Sequence, residues 1–343
     1  MKKYVVGIVG ASGAVGEEIL KILEEQDFPV KTIVPLASAR SAGELVEFKG
    51  KSYEILETTD EVFAKQGVEI AFFSAGGSVS ERFVPSAVRA KAVVIDNTSF
   101  YRMDSDVPLV VPEVNPQDIA LWEKRGIIAN PNCSTIQMVQ ALAPLHKEFE
   151  ITRVDVSTYQ AVSGAGKSGM EELVLQMQKF FAFELDSILP SVFPHRIALN
   201  AIPHIDVFQD NGYTKEEMKM IKETQKIMHE DFAISATCVR VPILRSHSES
   251  ISITCKKEVT CKRAQEVLKS APNIVLLDNP SANLYPMPSV ATDTDETYVG
   301  RIRVDYFNPH ILHFWCVADQ IRVGAATNAV RIAQKWISLQ KDK

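Results

Sequence analysis

Over the first 130 residues, short β-branched runs alternate with stretches whose apolar residues recur every three or four positions. Tyr4–Val9, Lys31–Ala37, Glu69–Phe73 and Ala92–Ile95 are nearly continuous apolar runs, as strands buried on both faces require. Between them, Val15–Gln26 sets Ile19, Leu20, Ile22 and Leu23 at helical spacing, and Glu81–Ala90 reads as a second helix. This order predicts an α/β fold with a Rossmann-type, doubly wound parallel sheet.

The character of the chain changes near Pro131. Arg153–Gln160, Cys238–Pro242, Ser250–Lys256, Val299–Asp305 and Leu312–Ala318 are longer and more alternating, which predicts a mixed or antiparallel sheet in an α+β domain. Helical stretches are read at Ile136–Leu145, Gly169–Phe183 and Lys215–His229. After Gly324, Ala325–Lys341 forms a strong helix with Val330, Ile332, Trp336 and Ile337 on its apolar stripe, and it is expected to return to the first domain. The expected division is therefore 1–130 with 325–343 for nucleotide binding, and 131–324 for catalysis and dimerisation.

The totals narrow the function. At 343 residues and 46% hydrophobic, the chain has enough apolar material for about two domains. A net charge of −6 with no basic stripe argues against a nucleic-acid partner. Five cysteines, at 133, 238, 255, 261 and 316, are odd in number and lack paired spacing, so neither a disulfide framework nor a metal site is expected. Cys238, Cys255 and Cys316 lie in apolar strands as packing residues, while Cys261 beside Lys262-Arg263 looks exposed. Met1-Lys2-Lys3 runs straight into an apolar strand, and no membrane-length apolar run exists, which points to a cytoplasmic protein with no membrane partner.

Two segments carry candidate chemistry. Gly10-Ala11-Ser12-Gly13-Ala14-Val15-Gly16 follows a buried strand and opens a helix, the context in which backbone N–H groups receive a phosphate. Its spacing is GxxGxxG rather than GxGxxG, and a strand–turn–helix needs some glycine in any case. The second strand ends in Ala37-Ser38-Ala39-Arg40-Ser41, where an NAD enzyme usually carries an acidic residue. Ser38, Arg40 and Ser41 suit a 2′-phosphate instead, so NADP is favoured. Ser74-Ala75-Gly76-Gly77 is a plausible lip of the same cleft, or an ordinary turn.

The second segment is Asn130-Pro131-Asn132-Cys133-Ser134-Thr135, a polar turn before a helix. Ser134 or Thr135 is expected to cap that helix, whose positive end favours a thiolate at Cys133. A lone cysteine is as often inert core filler, and the motif alone does not choose.

Six motifs in order decide the matter: the glycine loop, Asp96–Arg102, Asn130–Thr135, Ser157–Gly166, Glu216–Lys219 and Cys238–Glu249. Together they closely resemble the aspartate-β-semialdehyde dehydrogenase family, over essentially the whole chain and in its more compact bacterial form. The resemblance implies reversible NADPH-dependent reduction of L-aspartyl-4-phosphate to L-aspartate-4-semialdehyde and phosphate, at the branch toward lysine, methionine and threonine. It implies a homodimer built on the sheet of the second domain. Cys133 becomes the nucleophile and His247 the acid/base, a role its ordinary pKa near 6.5 suits.

The remaining positions follow residue by residue. Arg240 is the ligand of the substrate α-carboxylate, a fit for a bidentate guanidinium. Arg102 and Lys219 match phosphate-binding positions, and Glu216 faces the substrate ammonium, with Glu217 as the alternative should the register differ by one. From spacing alone, Glu216 and Lys219 are an ordinary surface ion pair. Gln160 and the turn at Asn132 and Cys133 position the carbonyl and its oxyanion. Ser163, Gly164 and Gln320 match NADP-contacting positions, beside Gly10, Ser12, Gly13, Ala14, Val15, Ser38, Arg40, Ser41, Ser74 and Gly76. Two departures stand out: Val323 where a basic or bulky residue is expected, and Thr98 in place of a serine. The competing readings are N-acetyl-glutamyl-phosphate reductase and a non-catalytic NADP-binding sensor. The sensor predicts loss of Cys133 or His247, and both are present.

Overall fold

Strands with two apolar faces have to be covered on both sides, and in the computed structural model they line up in one parallel sheet. The structure describes residues 2–184 and 189–341; Met1, 185–188 and 342–343, which the expected domain spans include, lie outside the described residues. The chain divides into two compact units, Met1–Asn132 with Ala325–Lys343, and Cys133–Gly324.

In the first unit the strands are β1 (Tyr4–Val9), β2 (Val30–Ala37), β5 (Leu56–Glu57), β6 (Ile70–Phe73), β7 (Val93–Asp96) and β8 (Ile127–Ala129), in the order β5-β2-β1-β6-β7-β8 and parallel throughout. Winding runs outward from β1 in both directions, so the topological switch falls at the carboxyl end of β1, where Gly10 begins the loop. A hairpin of β3 (Leu45–Phe48) and β4 (Lys51–Glu54) stands apart from that sheet. The helices are α1 (Ala14–Glu25), α2 (Val62–Gln66), α3 (Gly77–Arg89) and, after the chain returns, α9 (Thr327–Lys341). Val330, Ile332, Trp336 and Ile337 of α9 join Ile19, Ile22 and Leu23 of α1 in one core, and Trp336 meets Tyr4 and Trp122 edge to face. Each fully buried aliphatic side chain of that stripe contributes roughly 1.5–3 kcal/mol.

The second unit holds a six-stranded mixed sheet in the order β10-β9-β11-β14-β13-β12. Its strands are β9 (Ile151–Gln160), β10 (Ala233–Arg240), β11 (His247–Cys255), β12 (Ile274–Leu276), β13 (Thr297–Val304) and β14 (Ile311–Ala318). The central β9-β11-β14-β13 pairs are antiparallel, and β10 and β12 lie parallel at the edges. On one face α4 (Cys133–Phe149), α6 (Lys215–Met228) and α7 (Cys261–Ser270) cover the apolar side chains. On the other, Asp155, Ser157, Ser250 and Ser252 line a shallow groove. A smaller cluster around Val162, Leu173 and Ile197 anchors α5 (Lys167–Phe181), and α8 (Pro288–Ala291) packs on β14.

Several expectations need correction. The helix after the cysteine turn begins at Cys133, not Ile136, so Ser134 and Thr135 lie inside its first turn and are not its cap. It is buried nearly all round, which explains why its apolar periodicity underestimates its length. The second strand of the second unit is Ala233–Arg240 rather than Cys238–Pro242, because Ala233-Ile234-Ser235-Ala236 is too small and polar to advertise a strand. His247 sits on a strand and not in the loop before it. Cys261 is half-buried at the start of α7, its Sγ 3.8 Å from the Ile302 carbonyl. Val323 is buried in a π-turn over Arg322–Ala326, a place a charged side chain could occupy only at high cost.

Candidate active site

The loop from β1 to α1 is shaped by close approach. A Cβ on Gly16 would stand 2.1 Å from the Gly10 carbonyl oxygen and 2.8 Å from Ala11 Cα, so only glycine lets α1 start against the loop. Gly13 takes the position before α1 with no side-chain cap, leaving the first amides of the helix to an outside acceptor. Ser12 Oγ lies 3.4 Å from Ser41 Oγ, which brings the exposed Ser38-Ala39-Arg40 turn beside the loop. Ser74 donates to the Val9 carbonyl and Gly76 precedes α3, so both line the same end of the sheet. These residues line the end of the sheet where a dinucleotide's phosphates would meet the start of α1.

Arg102 also belongs to the first unit. It is almost fully buried, and its Nε and Nη2 donate to the carbonyls of Asn130 (2.9 Å) and Asn97 (2.7 Å). Thr98 is buried too, bonded to Asp96 and Ser80, and this shapes the turn that leads to Arg102. Asn130 Oδ1 accepts from Asn328 of α9, and Asn132 stands buried immediately before Cys133.

The second unit assembles the reactive groups. Cys133 opens α4, where the positive end of the helix dipole favours negative charge on sulfur. Behind it, a Cβ on Gly324 would lie 2.5 Å from Cys133 Cβ, so this glycine is what admits the helix start. His247 is fully buried at the first position of β11. The Ala161 N–H donates to its Nδ1 at 3.0 Å, which leaves the proton of the neutral ring on Nε2. That Nε2 has no partner among the described residues, and Gly164 lies against it. Burial, then the Arg240 charge, pushes the imidazole pKa well below its ordinary value, so the ring is neutral at physiological pH.

Arg240, at the end of β10, is held by its Nη1 donating to the Ala161 carbonyl at 2.7 Å and by the Phe193 ring below its guanidinium. Burial lowers its pKa, opposed by the charges of Glu216 and of Cys133, which places both within its field. Gln160 Nε2 donates to Glu216 Oε1 at 3.3 Å, and Lys219 Nζ donates to Glu216 at 3.1 Å and to Asp206 at 2.8 Å. Lys219 is thus no ordinary surface lysine; burial lowers its pKa less than these carboxylates raise it. Glu216 and Glu217 differ in their contacts. Glu217 closes a capping box with Thr214 and accepts the Cys238 N–H, while Glu216 faces Gln160, Lys219 and Arg240. Gln320 donates to Ser163 Oγ and accepts the Ser246 N–H. Sequence reasoning passed over Asp206, which no motif marked, and Glu249, which closed a motif without a role.

These two constellations, a dinucleotide loop and a buried arginine whose field reaches both a cysteine and a buried histidine, have counterparts in known proteins. Residues 5–122 match the semialdehyde dehydrogenase NAD binding domain, and residues 142–323 match the semialdehyde dehydrogenase dimerisation domain, which defines the class. The aspartate-semialdehyde dehydrogenase of Campylobacter jejuni is 64% identical, over 99% of both chains. That of Helicobacter pylori is 59% identical, over 98% of this chain and 99% of its own. The crystal structure of aspartate semialdehyde dehydrogenase II from Vibrio cholerae, complexed with ASA, superposes with a TM-score of 0.95 at 43% identity, covering 98% of this chain and 99% of its own. The chain belongs to the aspartate-semialdehyde dehydrogenase family.

Proposed function

We propose that the protein interconverts L-aspartyl-4-phosphate and L-aspartate-4-semialdehyde, with NADP as cofactor, as a cytoplasmic homodimer in amino-acid biosynthesis. The observation that carries this reading is Cys133 at a helix N-terminus, in the field of Arg240, within one unit that also buries a neutral His247. In the reductive direction the Cys133 thiolate attacks the acyl carbon, the C–O bond to phosphate breaks, and a thioester forms on sulfur. The reduced nicotinamide supplies a hydride when bound. His247 holds its Nε2–H for the oxyanion that develops on the former carbonyl, and the backbone amide at Nδ1 keeps that tautomer. Collapse of the thiohemiacetal returns the thiolate and releases the aldehyde.

Arg240 holds the α-carboxylate and Glu216 the ammonium, while Lys219 and Arg102 serve the phosphate. Asp206 and Glu216 take two of the three N–H donors of the Lys219 ammonium, so a phosphate oxygen can accept the third. Gln160 and Asn132 orient the carbonyl. The loop residues Gly10, Ser12, Gly13, Ala14 and Val15 hold the pyrophosphate, and Ser38, Arg40 and Ser41 hold the 2′-phosphate; Ser74, Gly76, Ser163, Gly164 and Gln320 complete the cofactor's contacts. The serine and arginine positions at the end of β2, with no carboxylate among them, favour NADP over NAD. Among the described residues no helix is long and apolar enough to cross a membrane. The subunit contact is assigned to the polar face of the second unit's sheet, around the Tyr159–Trp315 ring pair at 5.3 Å. Steady-state turnover of aspartate semialdehyde with phosphate and NADP tests the whole reading; turnover only with the N-acetylated glutamate analogue would reject it.

A further inference from the structure

Glu249 lies two residues beyond His247 on β11, so the two side chains share one face of the sheet. Glu249 is completely buried, and neither carboxyl oxygen has a hydrogen-bond partner among the described residues. The amide of Gln137, on α4, lies against it, and Gln137 Oε1 is likewise buried and without a partner. The residues opposite Glu249 on β9 and β14 are Thr158 and Cys316, both fully buried. The titratable groups around it are uncharged: Cys316 and Cys238, whose thiols burial pushes up, and the neutral His247. Burial pushes the Glu249 carboxyl well above the usual range, and only the Gln137 amide pulls the other way.

Both Glu249 oxygens and Gln137 Oε1 are buried acceptors without a donor among the described residues, and an ionised carboxylate so enclosed is among the costliest groups to bury. One proton resolves both problems, because a protonated Glu249 is a donor and Gln137 Oε1 lacks one. We propose that Glu249 is a positioning residue that keeps its proton through the working pH range and donates it to Gln137, tying the strand of His247 to the helix of Cys133. Gln137 lies one helical turn after Cys133, and its Nε2 reaches toward the His247 carbonyl at 3.5 Å. The pair therefore fixes the spacing of nucleophile and acid/base without touching substrate. This inference rests on the roles given above to Cys133 and His247.

The test compares the full-length protein with Glu249→Gln and Glu249→Ala. It measures kcat and KM for aspartate semialdehyde, thermal midpoints across pH, and the infrared difference spectrum between wild type and Glu249→Gln. The expected spectrum at neutral pH shows the carbonyl stretch of a protonated carboxylic acid. Glu249→Gln, which supplies a neutral amide, retains kcat within about 3-fold and melts higher than wild type at neutral pH, with the gain gone at pH below about 4.5. Glu249→Ala loses about 10-fold or more in kcat with KM little changed. A carboxylate spectrum, a wild-type kcat in Glu249→Ala, or a Glu249→Gln as poor as Glu249→Ala would each overturn the proposal. The spectrum and the Glu249→Gln arm decide even where Glu249→Ala yields no folded protein. A wild type inert toward the substrate would instead overturn the reaction, and the spectrum would still judge the proton.

Discussion

At the scale of single residues, burial sets the chemistry. His247 would titrate near 6.5 in water, but burial and Arg240 hold it neutral to much lower pH. The pH profile of kcat/KM is therefore expected to show no acidic limb near 6.5, and a limb there would contradict this environment. The linkage has a definite sign. With a folded-state pKa below the unfolded one, this site's stability contribution is complete above about 6.5 and is lost as pH falls toward the lowered value. Replacing His247 by Gln is expected to remove that part of the acid destabilisation, seen as a flatter thermal midpoint below about pH 6.5. Arg240→Lys keeps the charge but loses the fork that grips a carboxylate and the Ala161 carbonyl; KM for aspartate semialdehyde is expected to rise roughly 10- to 100-fold, with a smaller effect on kcat. An unchanged KM would place the carboxylate elsewhere. The proposal of these roles from sequence depends on the motifs occurring together; in isolation His247 and the Glu216–Lys219 pair look structural. Glu217 shows the limit. Adjacent carboxylates are equivalent in a sequence pattern, and only the Thr214 cap shows that one of them is already engaged.

At the scale of elements, close backbone approach explains most of what the site requires. Gly324→Ala would put a methyl group 2.5 Å from Cys133 Cβ, so the start of α4 has to shift. A displacement on the order of 1 Å at the nucleophile costs about 100-fold in kcat, and that loss is expected with NADP affinity unchanged. Wild-type kcat in this variant would show that the helix start tolerates movement. Four of the six parallel strands of the first unit were readable to within a residue, as continuous β-branched runs, whereas Leu56–Glu57 and Ile127–Ala129 are too short to mark themselves. The second unit was harder. The early part of β10 is built from small residues, and α4 is buried on nearly every side, so neither shows a clean period. The helix α7 escaped notice because its charged face dominates the local composition, although Thr260 caps it as a helix start should be capped. The hairpin β3–β4 is short and largely exposed, with little burial to mark its alternation.

At the scale of the whole molecule, the proposed reaction draws on both units. The parallel sheet presents the dinucleotide loop at its switch point, and the mixed sheet, with the helices that cover it, carries cysteine, histidine and arginine. The net charge of −6 gives an anionic substrate no general attraction, so the proposed recognition is assigned to Arg240, Arg102 and Lys219. The proposed preference for NADP rests on the exposed end of β2. Arg40→Ala is expected to cost roughly 10- to 100-fold in the preference for NADP over NAD, read from the ratio of kcat/KM values, and an unchanged ratio would refute the assignment. The polar face of the second sheet, with Tyr159 partly exposed, is expected to meet a second copy; a charged substitution at Trp315 should shift sedimentation toward monomer. The most direct test of the central claim is phosphate-dependent reduction of NADP by L-aspartate-4-semialdehyde, with Cys133→Ala measured alongside. Turnover in the wild type that falls by at least about four orders of magnitude in the variant is the predicted result. Turnover that survives loss of the thiol, or that needs no phosphate, would contradict it.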